Sequence, residues 1–250
     1  MGFLNKLGIA IGGYAPRNGS GTLPHARQHS SRVHTGVVAA GPHREPEMQE
    51  TTRVSNGLKE FLWNLEGLGK GTLLDLGPAW QTTLSFFIER GFRVTSEDIL
   101  RDWAGFQTKE QAALKEALTS NDYAERTPEA TAKRFLTESL QYGPSTFDAL
   151  LLWDVLDYVE PTLAKQMVAQ LTEQLRPGGV VMAMFHSKKP ESFHRYRVMD
   201  THTLQVLEAK SIVPVQKVYQ NREIQDLFGR FRSMKSYVGR DQLRETLFVK

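Results

Sequence analysis

The chain has 250 residues, of which 40% are hydrophobic and 10% aromatic, enough for one sizeable core or two small ones. It contains no cysteine, which excludes a disulfide framework and a thiolate metal site and fits a reducing, cytoplasmic compartment. The formal net charge is only +3, and no apolar run approaches the roughly 20 residues of a membrane span.

Residues 1–46 are rich in Gly, Ser, Pro, Arg and His and show neither helical nor strand periodicity. They read as a flexible basic tail, a candidate arm for contacting a partner. Its histidines (His25, His29, His34, His43) are too irregularly spaced for a metal site, so none is expected. The pattern changes at Glu47, and residues 47–250 read as one folded domain. Leu58, Phe61, Leu62 and Leu65 recur at helical spacing, and Gly67 and Gly69 end that helix. Thr72–Leu76 reads as a buried strand that stops at Gly77. A helix follows over Thr82–Arg90, with Gly91 just past its end. Phe92–Thr95 is the next strand. Two strands joined by one helix make a right-handed parallel crossover.

Residues 100–134 look helical and polar, with a short strand expected around Phe135. Phe147–Trp153 is a nearly continuous apolar run, as in a central parallel strand covered on both faces. Pro161 suits the first turn of a helix whose stripe is Leu163, Met167, Leu171 and Leu175. Pro177-Gly178-Gly179 is a hard turn before a buried strand, Val180–Phe185. Residues 188–220 hold strand-like pieces at Tyr196–Met199, Leu204–Leu207 and Val213–Tyr219. Phe231–Val238 and Thr246–Val249 flank a Gly-Arg-Asp turn and read as an antiparallel hairpin. The fold class is therefore α/β, Rossmann-like and doubly wound. Its mostly parallel seven-stranded sheet ends in a C-terminal antiparallel hairpin. Both insertions, about 100–134 and 188–220, follow strand C-terminal ends, where open α/β sheets bind ligands, so they are expected to cap a pocket.

Four motifs carry a resemblance. They are Leu73-Leu-Asp75-Leu-Gly77, Val94-Thr-Ser-Glu-Asp98-Ile99, Phe147-Asp-Ala-Leu-Leu-Leu-Trp153-Asp154, and Leu175-Arg-Pro-Gly178-Gly179. In this order they resemble the class I S-adenosylmethionine-dependent methyltransferases over roughly residues 55–250. The resemblance implies methyl transfer from S-adenosylmethionine to a small or medium-sized acceptor. It places Asp75, Gly77, Pro78, Ala79, Asp98, Ile99, Glu138 and Trp153 around the cofactor. Asp75 would lie near the ligand's amino group, Asp98 would accept from both ribose hydroxyls, and Glu138 would meet the adenine. A carboxylate suits the ribose because it offers only acceptors to two neighbouring donors.

The first motif departs from the family pattern, since glycines are expected where Ala79 and Gln81 stand. Alanine adds one methyl group, Gln81 adds a long side chain, and Pro78 removes an amide donor. Trp80 either stacks on the ligand or fills its pocket. The alternative reading is thus a catalytically inactive methyltransferase-like binding or assembly module. Asp154, Tyr158 and His186, at or just past strand ends, are the candidate catalytic bases. Mixed charge in the middle of the chain, and no Asn/Asp-Pro-Pro-Tyr signature, argue against a nucleic-acid substrate.

Overall fold

The computed structural model describes residues 50–117 and 127–250. The tail expected over residues 1–46, and the stretch 118–126 of the first insertion, lie outside the described residues. The described residues form one unit. In chain order the elements are β1 (Glu50–Val54), α1 (Asn56–Asn64), β2 (Gly71–Asp75), α2 (Gln81–Ile88), β3 (Phe92–Ser96), α3 (Ile99–Ala117) and α4 (Pro128–Ser139). There follow β4 (Phe147–Trp153), α5 (Val155–Tyr158), α6 (Pro161–Gln174), β5 (Leu175–His186), β6 (Phe193–Val198), β7 (Thr203–Ala209), α7 (Asn221–Leu227), β8 (Ser233–Val238) and β9 (Leu243–Val249).

The main sheet has six strands in the order β3-β2-β4-β5-β9-β8. The first four are parallel, β9 runs antiparallel to β5, and β8 pairs antiparallel with β9. This is a Rossmann-like α/β arrangement with one reversed strand. Every residue of β4 is buried, which explains its unbroken apolar run. Two apolar cores lie against the sheet. One joins α3, α4 and α6 to it, and the other joins α1, α2 and residues of β6 and β7.

Local chemistry sets the element ends. Ser55 caps α1 by accepting from the Leu58 amide at 2.9 Å. Gly91 ends the α2 turn with φ +85, and a Cβ there would lie 2.4 Å from the Gly69 carbonyl oxygen, so only glycine fits.

Sequence expectation and structure part at four places. The expected strand around Phe135 is part of α4. Thr127 caps that helix, Pro128 opens it, and Phe135 packs on Trp103 and Phe106. The main sheet consequently has six strands rather than seven. Pro177–Gly179 does not precede a strand but forms an irregularity inside β5, where Leu175 pairs with Phe147 and Val180 with Ala149. Val213–Tyr219 joins no strand, since Pro214 lacks an amide hydrogen and the Gln216 and Lys217 amides both donate to the Asp157 carbonyl. Finally, β1 pairs antiparallel with β7, and β7 with β6, to make a second, three-stranded sheet.

Candidate functional site

Two carboxylates close the C-terminal ends of neighbouring parallel strands. Asp75 is the last residue of β2, paired in register with Ser96 of β3. The Glu97 amide donates to the Asp75 carbonyl at 2.8 Å, and Asp98 follows immediately. Asp75 is buried. Its Oδ1 accepts from the Gly77 amide at 2.9 Å and from the Trp153 indole Nε1 at 2.6 Å, while Oδ2 has no hydrogen-bond partner. Burial pushes its carboxyl up to about 6, against the lowering effect of the two hydrogen bonds.

The turn after β2 is shaped by Trp153. A Cβ on Gly77 would lie 2.7 Å from the indole Nε1 and 3.2 Å from Asp75 Oδ1. Glycine is thus required here by an internal side chain. Trp153 itself takes a left-handed conformation, φ +49, at the end of β4. Its ring stacks on Tyr196 of β6, with centroids 5.7 Å apart and planes 13° from parallel. Gln81 does not fill the space beside the Gly77 turn. Gln81 is exposed and donates to Ser85 Oγ at 2.9 Å along its own helix. Trp80 lies under the Arg197 guanidinium of β6, 5.2 Å from carbon to ring centroid. Pro78 is half-buried and Ala79 exposed.

Asp98 forms an ion pair with Arg195 of β6, with Nη2 3.0 Å from Oδ1. The side chains are 20% and 13% exposed. Ile99 is fully buried at the start of α3. Glu97 accepts from the Tyr142 hydroxyl instead of facing the same space as Asp98. Glu138, expected beyond a strand, sits on the exposed face of α4 because the segment is helical.

A second group gathers at the end of β5. His186 Nε2 lies 3.0 Å from Asp154 Oδ2, and the Tyr196 hydroxyl donates to the same oxygen at 3.2 Å. Burial lowers the His186 pKa, but the hydrogen bond to Asp154 and the charges of Asp154 and Asp157 outweigh it and raise it. Asp157 is fully buried and accepts from the His186 backbone amide at 2.7 Å. Its Oδ1 has no hydrogen-bond partner, and burial, reinforced by Asp154, pushes the carboxyl up to about 8. Tyr158 is buried with its ring on Phe193, and its hydroxyl finds no partner. His186 and Tyr196 open onto a cleft of about 530 Å³, rimmed by Arg53, Lys188, Lys189 and His194.

The structure thus brings together Asp75, Gly77, Asp98 and Trp153 on one side, and Asp154, Tyr158 and His186 on the other. It leaves Glu138 outside. Sequence reasoning missed Arg195, Tyr196, Arg197 and Asp157. The one available signal was the alternation in Phe193-His-Arg-Tyr-Arg-Val198, which puts two arginines on one face of a strand. Among the described residues no cluster suited to a metal ion occurs, and no helix is long and apolar enough to cross a membrane.

No protein-family model matches the chain, and no curated protein matches it. Solved structures do resemble it. One is the 1,6-didemethyltoxoflavin-N1-methyltransferase of Burkholderia thailandensis, at 16% identity and TM-score 0.44, over 78% of this chain and 76% of that one. Another is an S-adenosylmethionine-dependent methyltransferase of Mesorhizobium loti, at 12% identity and TM-score 0.43, over 76% and 96%. A third, from Aquifex aeolicus, has 11% identity and TM-score 0.40, over 76% and 88%. Likenesses this distant carry nothing about the site.

Proposed function

We propose that the chain is an S-adenosylmethionine-dependent methyltransferase whose small-molecule acceptor sits in the cleft at His186. The observation that carries this reading is the pair of carboxylates, Asp75 and Asp98, at adjacent strand ends beside the Gly77 turn. Asp75 holds an unpartnered buried oxygen, which fits a ligand ammonium. Asp98 fits a ribose diol once Arg195 withdraws. The residues present therefore fit the cofactor once Arg195 leaves Asp98 and the Trp153 indole makes room at Gly77. When bound, S-adenosylmethionine supplies an activated methyl group, so the protein's contribution is mainly proximity and orientation.

The chain's own chemistry lies at His186. Asp154 accepts from Nε2–H, which fixes the tautomer and leaves Nδ1 as the lone pair that takes the acceptor's proton. Tyr196 shares the Asp154 oxygen and walls the cleft, so it positions the pair. Isothermal titration with S-adenosylhomocysteine is the test. Saturable one-site heat is expected, and the absence of heat at millimolar ligand overturns the proposal.

A second reading has a specific observation behind it. Trp153 packs against Gly77, and Arg195 neutralises Asp98. If these contacts are permanent, the chain is a methyltransferase-like module without catalysis. The same titration separates the two readings.

A further inference from the structure

β6 runs between the two halves of the site and touches both. On one face, Phe193 packs on Tyr158, Arg195 pairs with Asp98, and Arg197 covers Trp80. On the other face, His194 and Tyr196 line the 530 Å³ cleft, and Tyr196 holds Asp154 and stacks on Trp153. The strand is also tied to the turn side of the site, because the Val198 amide donates to the buried Thr83 hydroxyl of α2 at 2.9 Å.

An arginine is a poor neighbour for a carboxylate that must bind a diol. Its Nη2 lies 3.0 Å from Asp98 Oδ1 and 3.3 Å from Oδ2, and so occupies, with a charge added, the acceptor positions a ribose would use. We propose that β6 is an internal competitor for the cofactor cleft: Arg195 holds the Asp98 carboxylate until the vicinal diol of an adenosyl ligand displaces it. This inference rests on the methyltransferase reading above. The free protein is thereby self-closed on the cofactor side, and Arg195 opens it by rotation of its own side chain while Tyr196 stays held by Asp154 and Trp153.

The competitor lowers apparent affinity by the fraction of molecules in which Asp98 is free. Removing it must therefore tighten binding. Isothermal titration of S-adenosylhomocysteine into wild type, Arg195→Ala and Arg195→Gln is the experiment, with thermal midpoints recorded alongside. Both variants are expected to bind about tenfold tighter than wild type. Equal or weaker binding in folded variants, with wild type still binding, overturns the competitor and leaves the cofactor assignment standing. No heat in any of the three overturns the cofactor assignment and the competitor together. If neither variant folds, Arg195→Lys is titrated instead, since it keeps the charge but its shorter, compact ammonium holds Asp98 less well. Tighter binding than wild type is expected, and equal or weaker binding overturns the competitor.

Discussion

The ends of β2 and β3 and the end of β5 lie at the same edge of one sheet, yet one is filled and the other open. At β2 and β3, Asp75, Gly77 and Asp98 are engaged by Trp153 and Arg195. At β5, His186 opens onto a cleft, with its ring held by Asp154. The difference teaches that strand-end motifs fix where carboxylates sit, while an inserted strand decides whether they are free. β6 closes one side and builds the wall of the other.

The largest effect is expected at the open side. His186→Ala is expected to reduce turnover by at least about 100-fold while leaving S-adenosylhomocysteine affinity within about twofold. Equal losses of both, seen by titration and single-turnover assay, would merge the two sides into one. The next largest effect is on the filled side. Gly77→Ala is expected to lower stability by about 1–3 kcal/mol in chemical denaturation, since its methyl group meets the Trp153 indole. Trp153→Phe carries its own cost, since it removes the indole donor to buried Asp75, so the expected signature is a double-mutant cycle in which Gly77→Ala costs less in the Trp153→Phe background than in wild type. Strictly additive losses would mean that Trp153 does not set the turn.

pH sharpens the contrast further. The folded-state carboxyl of Asp157 lies near 8, above its ordinary value of 3.8. The folded protein therefore holds an extra proton between those values, and stability falls as pH rises through that window. Asp157→Asn is expected to flatten this decline in thermal melts from pH 5 to 8, and an unchanged slope would contradict the assignment. On the activity side, the raised pKa of His186 predicts a rate that climbs with pH through a point above the usual histidine value of about 6.5. The smallest effect belongs to Gln81→Ala. Its side chain is exposed and bonded to Ser85, so S-adenosylhomocysteine affinity is expected to change by less than about twofold.

Much of this was legible in the sequence. The unbroken apolar run of β4 and the strand–turn–helix pattern at Gly77 follow from burial on two faces and from turn chemistry, both local. Asp75, Asp98, Trp153, Asp154 and His186 were found because strand ends are local features too. Phe135 misled because one apolar position fits either a short strand or a helix face, and packing on Trp103 and Phe106 decided for helix. Local sequence points only to Trp80 and Gln81, next to Gly77, as side chains that could occupy the turn. Trp153 and Arg195 reach the site across 78 and 97 residues of chain, separations that no local pattern encodes. Asp157 escaped notice for the same reason, since only folding brings it beneath the His186 amide.

A crystal structure of the S-adenosylhomocysteine complex tests the central claim most directly. The expected result is ribose hydroxyls on Asp98 with the Arg195 side chain withdrawn from it. Ligand bound with the Arg195–Asp98 ion pair intact would contradict it.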